Sequence, residues 1–65
     1  MIYGVELWYG LDTDTHYFNS YGEANHCFID AMCDEHCNYG EFGFYDEVLT
    51  DNGYQLEYHK LLSFG

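Results

Sequence analysis

Apolar and polar positions alternate from Ile2 to Tyr9, with Tyr3, Val5, Leu7 and Tyr9 on one side of an extended chain and Glu6 and Trp8 on the other. The stretch is rich in β-branched and aromatic types and predicts a first strand. Gly10 to Asp14 carries turn chemistry, a Gly followed by Asp-Thr-Asp. Thr15 to Phe18 then reads as a short second strand that closes a hairpin.

The period changes after Ser20. Ser20-Tyr21-Gly22-Glu23 matches a capping box, in which the Ser hydroxyl accepts from the third helical N–H and the Glu reaches back to the cap. A helix is expected from about Tyr21 to Cys37. Counted at helical spacing, Ala24, Cys27, Phe28, Ala31 and Met32 share one side. Glu35 falls on the same side, so the last turn is expected to fray or leave the core. Asn38-Tyr39-Gly40 supplies a stop. Residues 41–50 and 54–62 read as two further strands around Asp51-Asn52-Gly53, and Asn-Gly favours a two-residue hairpin turn. That turn places Leu49 opposite Leu56, Phe44 opposite Leu61, Asp46 opposite His59, Glu47 beside Tyr58 and Tyr45 beside Lys60. The predicted class is α+β over a single domain, residues 1–65. One helix packs on a small, mostly antiparallel four-stranded sheet in the order β-β-α-β-β, the simplest way to bury the apolar faces. The other sheet face is left open for Trp8, several Tyr and strand carboxylates.

Charge changes this picture most. Twelve residues are acidic, Lys60 is the only Lys or Arg, and the formal net charge is −11. Such an imbalance destabilises a compact state through self-repulsion. A compact chain of this length is roughly 28 Å across. Duplex DNA of that length carries about 16 phosphates, so the charge densities are comparable. Acidic disordered tails are poor in aromatics, whereas this chain has eight Tyr, five Phe and a Trp. A direct contact with DNA or RNA is excluded, because one Lys cannot neutralise a phosphate backbone. No apolar run approaches the roughly 20 residues of a membrane span, and anionic bilayers repel an acidic protein. No secretory leader is expected from the first residues. Cys27, Cys33 and Cys37 are an odd set in one segment, so reduced thiols and a cytoplasmic location are expected.

The carboxylates form two groups. Glu23, Asp30 and Asp34 fall within about 40° on the predicted helix; Asp46, Glu47, Asp51 and Glu57 lie on the last hairpin. One reading is a solvated surface or a halophile adaptation, although solubility needs only a modest net charge. The other is a surface whose carboxylates stand in for phosphates on a basic partner, with Tyr rings as desolvated anchors. The partner-binding candidates are then Asp30, Asp34, Asp46, Glu47, Glu57, Tyr45 and Tyr58. A separate constellation is His26, Cys33 and Cys37, which share a helical side and are zinc-ligand types. They define an alternative, a small structural or oligomeric module stapled by a metal site, with further ligands from His16, His59 or a second copy of the chain. Cys37 with His36, or Asp46 with His59, have the residue types of catalytic pairs but lack an oxyanion donor or a nucleophile elbow. No catalytic role and no cofactor are expected.

In size, charge and composition the whole chain resembles the small acidic inhibitors encoded by bacteriophages and other mobile elements, among them anti-CRISPR proteins, uracil-DNA glycosylase inhibitors and anti-restriction proteins. Several of those groups mimic DNA. The resemblance implies a non-catalytic inhibitor in the host bacterial cytoplasm. Its partner would be a basic nucleic-acid-binding protein, a bacterial defence nuclease or CRISPR effector, whose access to DNA it blocks. A homodimer is compatible with this reading.

Overall fold

A computed structural model describes all residues, Met1–Gly65. The elements run β1 (Ile2–Tyr9), β2 (Asp12–Phe18), α1 (Tyr21–Met32), β3 (Tyr39–Thr50) and β4 (Gly53–Phe64). The four strands form one antiparallel sheet in the order β2-β1-β3-β4, with α1 across one face. The α+β class and the element order are as the pattern predicts. The core forms where α1 meets the two central strands. Val5, Leu7 and Phe42 rise from the sheet, and Ala24, Phe28 and Ala31 descend from the helix. The two alanines let the helix sit close. Phe42 is fully buried, with the Tyr21 ring edge-on at 5.3 Å and the Phe28 ring tilted at 5.8 Å.

Several boundaries differ from expectation. The first turn is only Gly10-Leu11, so β2 begins at Asp12 rather than Thr15. Gly10 alone takes a positive φ there (67°), which a side chain resists. Helix α1 stops at Met32, about one turn before Cys37. The Ser20 cap forms as predicted, its side chain accepting from the Glu23 amide. At the other end Asp34 accepts from the His36 amide at 2.9 Å, a local turn that competes with helical bonding. Asn38 then ties the chain to the first hairpin, its amide donating to the Trp8 carbonyl at 2.7 Å and its side chain accepting from the Gly10 amide. Met32 is half exposed, not a core residue, because the helix ends before it meets the sheet.

The last hairpin is in a different register. Asp51-Asn52 are the loop and Thr50 pairs with Gly53, two residues out of step with a turn centred on Asn-Gly. A type I′ turn needs positive φ at both central residues. Here no non-Gly residue has positive φ, and Gly53 (102°) takes that conformation alone, after the turn. The Thr50 hydroxyl secures the loop by donating to the Gly53 carbonyl at 2.7 Å and accepting from the Asn52 amide at 3.2 Å. The observed partners are therefore Leu49 with Tyr54, Glu47 with Leu56, Asp46 with Glu57, Tyr45 with Tyr58, and Phe44 with His59. A shift of two leaves each residue on its face but changes its neighbour.

Beyond that, Lys60 pairs with Gly43 while Leu62 pairs with Phe42, so Leu61 is an extra, bulged residue. The bulge reverses the alternation and delivers Phe64 to the helix side, where its ring meets Phe28 at 5.3 Å. β1 pairs with β3 only as far as Tyr45, and residues 46–57 continue as a two-stranded arm. The molecule is accordingly long, 43 × 25 × 15 Å, with a radius of gyration of 13.0 Å. A compact chain of this length would have about 11 Å.

Candidate protein-binding surface

The side of the sheet away from α1 carries no second layer. Its centre is a cross-strand glycine pair, Gly4 on β1 and Gly43 on β3. Aromatic rings lie over both. A Cβ at Gly43 would come 2.5 Å from the Tyr58 ring, and one at Gly4 would come 3.0 Å from the Tyr45 ring. The missing side chains thus leave room for two tyrosine rings close against the backbone, tilted 51° to each other. Tyr45 and Tyr58 are direct cross-strand partners with ring centroids 5.1 Å apart, and Tyr17 of β2 lies 6.0 Å from Tyr45. Ile2 and Leu56 join Tyr17 and Tyr45 around a shallow apolar depression of about 190 Å³.

Next to the rings, Glu6 of β1 faces Glu41 of β3 on this same side. Both are half-buried. Like charges directly opposed destabilise a sheet, and here each carboxylate is held by uncharged donors. The Trp8 indole donates to Glu6 at 3.1 Å, and the Tyr39 hydroxyl donates to Glu41 at 2.8 Å. Three tyrosines on this face titrate above their ordinary value. Tyr58 is raised by burial and by the nearby Glu41, Tyr45 by burial and the neighbouring Tyr17, and Tyr39 by its hydrogen bond to Glu41. They stay neutral through the physiological range, and Tyr39 donates to Glu41.

The seven candidates chosen from the sequence do not form one patch. Tyr45, Tyr58 and Glu47 share the open face. Asp46 and Glu57 face each other across the arm, but on its opposite side. The nearest basic group to Glu57 is His59 at 3.8 Å, whose ring stacks on Phe44 at 4.9 Å. Asp30 and Asp34 belong to the helix side. With Glu23, His16 and His26 they border an open cleft of about 830 Å³ between α1 and β2, floored by Leu7 and Phe18. Glu6 and Glu41 were not among the candidates. Alternation in β1 puts Glu6 on the open side, but nothing local shows that Glu41 sits opposite it.

The cysteine–histidine constellation is not assembled. His26 pairs with Asp30 at 3.2 Å, and Cys33 is the exposed cap of the shortened helix. Cys37 lies outside the helix, packs on the core, and its thiol donates to the Tyr39 carbonyl at 3.4 Å. His26, Cys33 and Cys37 therefore do not share a helical side, and no three His, Cys, Asp or Glu side chains converge as metal ligands do. All three cysteines are unpaired, and burial raises the Cys27 thiol above its ordinary value, with a smaller contribution from Asp30. The sequence pairs with catalytic residue types are also separated in role. His36 lies 3.8 Å from Glu35 rather than against Cys37, and His59 stacks on Phe44 while Asp46 opposes Glu57.

Charge is uncompensated throughout. The ion pairs of the chain are three, all made by histidines, and none involves Lys60. Ten of the twelve carboxylates are exposed. No helix is long and apolar enough to cross a membrane. Comparison with known proteins finds no matching family model, no similar curated protein and no similar solved structure.

Proposed function

We propose that this chain is a non-catalytic binding protein that engages a basic, nucleic-acid-handling protein and blocks its access to DNA. The partner class is a bacterial defence nuclease or CRISPR effector, met in the bacterial cytoplasm. What carries the reading is the uncompensated charge: a net −11 with no carboxylate paired to Lys or Arg. A folded protein gains solubility from far less. A field of this strength speeds encounter with a positive surface and rejects negative ones. The arm adds reach, because Asp46, Glu47, Asp51 and Glu57 project from a ribbon two strands wide, narrow enough for a channel that accepts nucleic acid.

The reading is tested by titrating the chain against purified DNA-binding defence nucleases with a DNA duplex as competitor. The expected result is mutual exclusion of chain and duplex, with affinity falling as salt rises. The Asp46→Lys, Glu47→Lys double variant reverses charge on both sides of the arm, since the two side chains point oppositely. It is expected to fold, by circular dichroism, and to lose the complex. Unchanged, salt-independent binding by that variant overturns charge mimicry.

A further inference from the structure

The open face is unusual for a surface with nothing over it. Trp8 and Tyr58 are exposed by 41% and 37%, and further along the arm Leu56, Tyr54 and Leu49 by 63–71%. An apolar face of this kind marks a docking surface more often than a solvated one. The Tyr45 and Tyr58 rings are packed close over glycine backbone, so they offer aromatic surface at little cost in side-chain freedom. Beside them the Glu6–Glu41 pair is half-buried and has only hydroxyl and indole donors.

The occupant follows from charge complementarity. A second copy would bring another strongly acidic surface, and nucleic acid would bring phosphates. A cation from a basic protein relieves the Glu6–Glu41 repulsion. Among cations, guanidinium fits best: it is planar, stacks on aromatic rings and presents several N–H donors to carboxylates, whereas an ammonium is a compact, strongly hydrated point charge. We propose that this face docks an arginine-bearing segment of the partner, with guanidinium groups lying against Tyr45 and Tyr58 and hydrogen-bonding to Glu41 and Glu6. The inference rests on the function proposed above and assigns its contact to the open face rather than to the α1–β2 cleft.

Two synthetic peptides test it, an Arg-Gly repeat and a Lys-Gly repeat of equal length and charge. Affinity is measured at physiological salt, and the contact is mapped by chemical-shift changes in the full chain. The Arg peptide is expected to bind about tenfold more tightly than the Lys peptide, with shifts at the Trp8 indole and at Tyr45 and Tyr58. Tyr45→Leu is expected to erase the preference. Glu23→Gln with Glu35→Gln, on the helix side, is expected to weaken both peptides alike and leave the ratio intact. Equal affinities overturn the proposal, as do shifts confined to the α1–β2 cleft or a concentration-dependent dimer that hides the face. None of these three outcomes needs a variant to fold. Salt-dependent binding without an Arg preference removes this inference alone. No binding of either peptide at low salt removes the acidic-ligand reading itself.

Discussion

Gly43→Ala probes the seat of the open-face tyrosines. A Cβ at this position meets the His59 carbonyl oxygen and the Tyr58 ring, both at 2.5 Å, about 0.9 Å inside ordinary contact. The ring can lift. The carbonyl belongs to the β4 backbone just before the Leu61 bulge and cannot swivel away. Overpacking of this kind costs about 1–3 kcal/mol. A stiffer unfolded chain returns about 0.4–1 kcal/mol, so the net loss is about 1–2 kcal/mol. For a chain this small, whose whole stability is of order 3–10 kcal/mol, that is a large fraction. Gly4→Ala is the control. Its Cβ meets only the Tyr45 ring, at 3.0 Å, and a ring edge can pivot. The expected change is within about 0.5 kcal/mol. Urea unfolding followed by circular dichroism reads both, and a slope near 1 kcal/mol/M puts the Gly43→Ala midpoint about 1–2 M below the parent. Alkaline titration gives a second readout: with the ring displaced from Glu41, the Tyr58 hydroxyl should move back toward its ordinary value. A Gly43→Ala protein as stable as the parent, or a Gly4→Ala protein that is the more damaged of the two, refutes the packing of tyrosine over glycine.

Two other outcomes are expected. Phe42→Ala removes the only large ring that is fully buried between sheet and helix and should cost about 3–5 kcal/mol, leaving the protein at or beyond the edge of unfolding; Phe42→Leu should cost less, by urea denaturation of both. High pH should unfold the chain steeply. Tyr9, Tyr45 and Tyr58 titrate above the ordinary value near 10 in the native state, Tyr9 chiefly through burial with Cys37 nearby. Between pH 10 and those native values the unfolded chain has released protons that the native chain still holds. Their contribution is thus complete below pH 10 and is lost as pH rises through the native values. Urea midpoints that stay flat from pH 9 to about 11.5 would contradict these environments.

Six residues form the buried cluster, with partly buried rings around them. The like-charge pairs, Glu6 with Glu41 and Asp46 with Glu57, are tolerated where donors or solvent reach them. Neutralising either pair should relieve the sheet.

Local information in the sequence determined the element types, their order, the helix cap at Ser20 and the core face of β1, because side-chain period and capping chemistry act over a few residues. It also determined the charge, from which the proposed reading takes a positive partner. The ends of elements depended on longer contacts. Asn38 reaches back to Trp8 and Gly10, and that tie, with the Asp34 turn, ends α1 before Cys37 and dissolves the expected His26, Cys33 and Cys37 cluster. The hairpin register turned on a backbone conformation at Gly53 that Asn52 does not share. Which candidate residues stand together was decided by strand pairing: the β3–β4 hairpin register and the β1–β3 register set Tyr45 and Tyr58 over glycines and Glu6 against Glu41. Those neighbours lie tens of residues apart in the chain, and no local period encodes a pairing that only the closed sheet selects.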